Sequence, residues 1–160
     1  MRRLVPLLLL AAVLAGCGSS RHAATTTTAP PSPPGNVLYQ GSEWAVSVSG
    51  GKATAYRLVG GTWKPDRTGK VTIDILAPKP GSKQAPRPQI AVEVTGKSPL
   101  VDTALWLDGK EVLTKGGGLT PDQGTIYGAP DAPLPKGAHT VVAYGRTANH
   151  GTAVTWTFHV

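Results

Sequence analysis

The side chains with chemistry to offer are few and widely spaced. One cysteine, Cys17, stands near the amino terminus, and four histidines fall at His22, His139, His150 and His159. A single thiol excludes an internal disulfide. No two histidines sit at a ligand spacing on one strand or helix, so no metal is expected. His139 and His159 lie on the polar registers of two adjoining strand patterns, where they would face each other on a solvated sheet face or form a weak metal site. Ser47, Ser49, Asp102 and His139 include the nucleophile, acid and base types of a hydrolytic triad, but a triad is a matter of geometry, and polar residues on strands need no such role. The chain has no Gly-x-Ser-x-Gly elbow, no His-Glu-x-x-His and no phosphate-cradling glycine loop. The acids Asp102, Asp108, Asp122 and Asp131 are expected in loops, without a calcium-loop spacing. No catalytic residue and no cofactor is therefore expected.

The aromatic residues are the stronger candidates. Trp44, Tyr56, Trp63, Trp106 and Tyr144 are many for a chain with one Phe. Trp106 and Tyr144 fall on the register opposite to Leu105/Leu107 and Val141/Ala143. Exposed together, such rings would make a flat platform for sugar stacking or protein contact. Buried, Trp106 would be a strand-centre core tryptophan, with Trp44 and Trp63 packing one subassembly onto another. The loops expected at 114–124 and 128–137 are rich in Gly, Pro and Asp and are the places where specificity would reside.

The elements that must carry these residues are strands. Twenty glycines and fifteen prolines punctuate short runs rich in Val and Thr, a composition that favours strands and turns. Between 44 and 64, Gly50-Gly51 and Gly60-Gly61 separate three runs, which predicts a three-stranded meander within residues 37–69, packed on the main domain or joined to its sheet. From residue 70 onward the period is two: Val71, Ile73 and Ile75; Ile90, Val92 and Val94; then Val154, Trp156, Phe158 and Val160. Asp108-Gly109 is a strong hairpin signal between 103–107 and 110–113. Five to seven strands at this spacing predict an all-β, two-sheet antiparallel sandwich over 70–160. Ile75-Leu76-Ala77-Pro78 with Pro80-Gly81, Leu105 to Lys110, Leu134 to Val141 and the closing Trp156 to Val160 resemble the immunoglobulin-like domains of bacterial secreted and surface proteins. That resemblance implies the fold and says little of function, because such modules serve as spacers, glycan binders and accessory domains.

The amino terminus is a separate matter. Arg2-Arg3, the apolar stretch from Leu4 to Leu14, and small residues at 15 and 16 have the anatomy of a signal peptide spanning residues 1–16. The apolar run, about 12 residues, is too short to span a hydrocarbon core of roughly 30 Å. Leu14-Ala15-Gly16-Cys17 resembles the lipobox of bacterial lipoproteins. The resemblance implies lipidation of Cys17 and membrane anchoring, for which two or three acyl chains suffice. Residues 17–36 lack any large apolar side chain and are expected to form a disordered tether.

The formal charge is +7, of which Arg2 and Arg3 supply two. The remaining excess serves solubility, with attraction to anionic lipid or acidic wall polymers left open; unclustered cations on an exported chain make nucleic acid a poor partner. The expectation is a monomeric, non-catalytic, lipid-anchored module on the extracytoplasmic face of the membrane, binding an envelope partner or acting as a spacer. A glycan-binding lipoprotein working through exposed Trp and Tyr is the alternative, and an envelope enzyme or metal carrier the least supported.

Overall fold

The computed structural model describes residues 31–160, with backbone alone at 118 and 119. Among these residues the chain forms strands and no helix. The first four are β1 (Asn36–Gln40), β2 (Trp44–Ser49), β3 (Lys52–Val59) and β4 (Thr62–Pro65). They are followed by β5 (Val71–Ala77), β6 (Ile90–Gly96), β7 (Leu100–Leu107) and β8 (Lys110–Glu111). The last are β9 (Lys115–Thr120), β10 (Gln123–Gly128), β11 (Ala138–Thr147) and β12 (Gly151–His159).

Strands β1 to β4 form one antiparallel sheet in chain order. Its two tight turns are the Gly-Gly pairs, whose φ angles of 56° and 74°, then 58° and 76°, lie in the left-handed region where a side chain would be strained. The other eight strands make two sheets, ordered β5-β6-β10-β9 and β12-β11-β7-β8. With β5 as strand A, this is the A-B-E-D against G-F-C-C′ arrangement of an immunoglobulin-like sandwich. After β5 the chain crosses to the other sheet. There Gly81 N–H donates to Thr157 O at 2.8 Å, His159 N–H donates to Ser82 O at 2.9 Å and Gln84 N–H donates to His159 O at 2.8 Å. This segment covers part of the β12 edge, which would otherwise offer free backbone groups.

Period-two alternation decides what fills the sandwich. Val71, Ile90, Val92 and Val94 from one sheet meet Leu105, Leu107, Val141, Ala143, Trp156 and Phe158 from the other. Trp156 is the tryptophan between the two sheets, and its indole N–H donates to Pro78 O at 3.0 Å. Trp106 points the other way. Together with Val142 and Tyr144 it packs on Val46, Ala53 and Ala55 of the amino-terminal sheet. The meander therefore lies face-on against the β12-β11-β7-β8 sheet and does not extend it. Ala53 N–H donates to Thr155 Oγ1 at 2.7 Å across this junction. Trp44 closes one end of it against Gly151, where a Cβ would sit 2.8 Å from the indole ring.

Several expectations need correction. The meander has four strands, because β1 begins at Asn36, inside the stretch expected to be tether. Residues 31–35 also belong to the fold: Ser47 Oγ–H donates to Pro34 O, the Trp63 indole N–H donates to Pro31 O, and Pro33 is buried. They cover the outer face of the meander, where Ala45, Tyr56 and Trp63 cluster. A proline-rich segment has little conformational freedom to lose on docking, which makes this arrangement inexpensive. The stretch expected as a loop at 114–124 contains β9 and the start of β10, because three glycines hid a strand that lacks a side-chain pattern. The return strand expected over 110–113 is only the two-residue β8. The signal peptide, the lipobox, Cys17, His22 and residues 17–30 of the tether lie outside the described residues.

Gly145 lies near the C-terminal end of β11, where a Cβ would collide with Val94 Cγ1 of the opposing sheet. Gly145→Ala is expected to lower stability by about 1–3 kcal/mol through overpacking, read as a reduced urea midpoint with an unchanged m-value.

Candidate functional site

Of the two arrangements open to the aromatic residues from the sequence, an exposed platform or core packing, the described residues show the second. Trp44, Tyr56, Trp63, Trp106 and Tyr144 are 2, 9, 8, 3 and 1 % exposed. Trp106 and Tyr144 do fall on the register opposite to Leu105 and Val141, but that face is covered by the meander. Trp63, expected to pack the meander onto the sandwich, instead faces outward under residues 31–34. The Trp44 indole N–H and the Tyr144 hydroxyl find no hydrogen-bond partner among the described residues. An unmet buried donor costs about 1–3 kcal/mol. Burying each ring removes roughly 150–250 Å2 from water, worth about 4–6 kcal/mol at ~25 cal/mol per Å2. Burial prevails, and it pushes the Tyr144 phenol strongly upward from its usual pKa.

The histidines separate in the same way. In the β11–β12 register His139 lies opposite Phe158, and His159 lies opposite Ala138. His139 therefore turns inward, its ring 5.6 Å from that of Phe158, while His159 is exposed on the other face, so the two do not meet. Asp108, placed at the head of the β7–β8 hairpin with φ 51°, engages His139 instead. One carboxylate oxygen accepts from Thr140 N–H at 2.8 Å and the other lies 2.8 Å from His139 Nδ1. His139 Nε2 lies 2.9 Å from Pro135 O. Both ring nitrogens thus face acceptors, so the imidazolium is the form that satisfies both. The hydrogen bond to Asp108, and secondarily that to Pro135 O, raises the His139 pKa against the opposing effect of burial. The group fastens the loop preceding β11 to the β7–β8 turn.

The remaining members of the imagined triad are dispersed. Ser47 is engaged with Pro34, and Asp102 lies in β7, 3.5 Å from Arg146 Nε, not in a loop. Asp122 accepts from Thr120 Oγ–H at 2.6 Å, and the Asp131 carbonyl accepts from Arg87 at 3.2 Å. The fold does assemble an acid, a hydroxyl and a histidine that the sequence did not reveal. His150 Nδ1 lies 3.1 Å from Thr68 Oγ1 and 3.5 Å from Asp66 Oδ2. A proton relay needs the nucleophile and the acid on different ring nitrogens; here both approach Nδ1. The cluster is a clasp between the segment after β4 and the β11–β12 turn, closed by Gly151 N–H donating to Asp66 Oδ2 at 2.9 Å. Burial acts to raise the Asp66 pKa, but the N–H groups of Thr68 and Gly151, the Thr68 hydroxyl and His150 together hold it below the usual value. These partners are more than eighty residues apart in sequence, beyond the reach of any local pattern.

Three concavities lie on the sandwich, and two more, of about 410 and 250 Å3, lie where β3 and the segment after β4 meet β12. A cavity of about 310 Å3 lies under the 129–134 loop beside Leu107, Lys110 and Val112. A cleft of about 440 Å3 separates β7 from β9 and β10 near Thr103 and Gly117. A smaller depression of about 220 Å3 lies beside Tyr127, Lys115 and Gln89. Tyr127 is the one exposed aromatic residue among those described, and it stands on the outer face of the β5-β6-β10-β9 sheet, which no other described layer covers. Among the described residues, no three His, Cys, Asp or Glu side chains converge closely enough to hold a metal ion.

These features define a β-sandwich module of immunoglobulin-like strand order with an amino-terminal sheet packed on it. No family model matches the chain, and no curated protein matches it. Among solved structures it is similar to selenomethionine PcoC, a copper resistance protein from Escherichia coli, at 19 % identity and a TM-score of 0.35, over 54 % of this chain and 95 % of that one.

Because the folded pKa of His139 is raised above its ordinary value of 6.5, the stabilisation it supplies is complete below that value and is lost as pH rises through the folded pKa. Urea midpoints measured between pH 6 and 9 should fall more steeply for the wild type than for His139→Gln. Parallel pH profiles would show that the pair with Asp108 is not coupled to folding.

Proposed function

We propose that the chain is a lipid-anchored module on the extracytoplasmic face of the membrane, non-catalytic and monomeric, whose sandwich binds an envelope partner or holds one at a distance. The observation that carries this reading is Leu14-Ala15-Gly16-Cys17 directly after the apolar run of a signal peptide. The architecture supports it. The described strands and the segment packed on them begin at residue 31, and the fourteen residues from 17 to 30 can span at most about 50 Å between them and the anchor. Ser47, His139 and Asp102, the hydroxyl, base and acid that a triad would draw on, are engaged as structural ties at separate places. The five large aromatics are spent on holding the layers together, which removes them as a ligand platform.

Mass spectrometry of the protein taken from membranes is expected to show residues 1–16 absent and Cys17 carrying diacylglycerol through a thioether. Cys17→Ser should move the protein from the membrane pellet to the soluble fraction. An unmodified thiol on a chain that retains its leader would overturn the reading.

A further inference from the structure

The outer face of the β5-β6-β10-β9 sheet is laid out in rows fixed by strand register. One row places Ala91, Tyr127 and Lys115 side by side on β6, β10 and β9. Leu76, 43 % exposed beside the irregularity of β5, extends this row as an apolar band ending at the Tyr127 ring. The next row places Asp74 directly opposite Glu93, followed by Thr125 and Gly117. Cross-strand partners share a face with Cβ atoms roughly 5 Å apart, and successive rows on one face are roughly 7 Å apart.

Two features of this region are unfavourable to the fold among the described residues. Like charges directly opposite each other destabilise a sheet, so the Asp74 and Glu93 pair weakens the fold that carries it. Leu113 is 88 % exposed and Tyr127 is 38 % exposed beside a common depression, whereas the other Trp, Tyr and Phe rings among the described residues are buried or, for Tyr39, half-buried. Lys115 forms no ion pair among the described residues, and so its ammonium is free to donate.

We infer that this face binds an uncharged saccharide chain, stacked on Tyr127 and hydrogen-bonded by Lys115, Gln89 and the Asp74 and Glu93 pair. A pyranose has one face of C–H groups, which suits the negative face of an aromatic ring, and a rim of hydroxyls that both donate and accept. Carboxylates offer only acceptors, an ammonium only donors, and the Gln89 amide offers both. The set therefore matches hydroxyls and no single ionic group. The Glu93 and Asp74 carboxylates, in the next row one and two strands from Tyr127, outnumber the Lys115 ammonium on this face and so disfavour an acidic sugar by repulsion. The depression of about 220 Å3 is smaller than the roughly 300–1,000 Å3 of pockets that engulf a ligand, as expected for a chain lying flat across a sheet.

This inference rests on the binding-module reading and supplies its ligand class. It is tested on the full mature chain carrying Cys17→Ser, so that lipid plays no part. Electrophoresis through gels containing mannan, dextran or a soluble β-glucan, with polygalacturonate as the acidic comparison, should show retardation by at least one neutral polymer. Tyr127→Ala should weaken it on the order of tenfold, and Tyr127→Phe should retain it. The paired change Asp74→Asn with Glu93→Gln should weaken binding while raising the melting temperature, an opposition that a purely structural role would not produce. Retardation by none of the neutral polymers, retardation by polygalacturonate alone, or unchanged binding by Tyr127→Ala would each overturn it. A failure here leaves the anchor at Cys17 standing, and an unmodified Cys17 leaves the saccharide site standing.

Discussion

The β12-β11-β7-β8 sheet is apolar on both faces, and the rest of the molecule is arranged to keep both faces dry. One face, through Leu105, Val141, Trp156 and Phe158, closes the sandwich in the usual way. The other carries Trp106, Val142 and Tyr144, side chains too large to leave in water at a few kcal/mol each. A sandwich alone has nothing to put there. The meander supplies a second lid, with Ala53 and Ala55 small enough to let the rings approach its backbone. The meander in turn has an outer apolar face, and residues 31–35 cover that. Each layer calls for the next because every element added to bury a surface brings a new surface of its own.

This stacking determines where a partner has room. Among the described residues, the meander and the β12-β11-β7-β8 sheet each have apolar clusters covered on both faces, whereas the β5-β6-β10-β9 sheet has one face with no layer over it. It is polar over most of its area, as antiparallel sheets with one solvated face are, and Leu76 and Tyr127 are the exceptions to that polarity. The polar groups that look chemical in isolation serve as fasteners between distant segments. Asp108 with His139 ties the β7–β8 turn to the loop before β11, and Asp66 with Thr68 and His150 ties the meander's exit to the β11–β12 turn. Each holds a loop that local hydrogen bonding would leave loose, at opposite ends of the strand pair β11–β12.

Much of the fold is legible in the chain because it arises from short-range rules. Alternation in Val71-Ile73-Ile75 and Ile90-Val92-Val94 fixes which face is buried, Gly-Gly and Asp-Gly fix the hairpins, and the composition fixes the class. The elements that differ from expectation are those in which the local signal is missing or points two ways. β9 is half glycine and shows no alternation. β1 comes directly after a proline tract and reads as its continuation. The strip containing Trp106 and Tyr144 is legible as a register, yet register gives a face and not its exposure.

The sequence by itself determined the strands that alternate, their turns, the inward set of each and the place of the leader-like segment and its cysteine, since all of these depend on residues within a few positions of one another. Only the tertiary structure decided that the meander covers a sheet face without extending a sheet, that five aromatic rings are interior, that His139 and His159 never meet and that Tyr127 stands in the open. Those outcomes depend on which surfaces lie against one another across roughly 80 to 100 residues of chain. Burial is a property of a pair of surfaces, and one strand's pattern specifies only one of them.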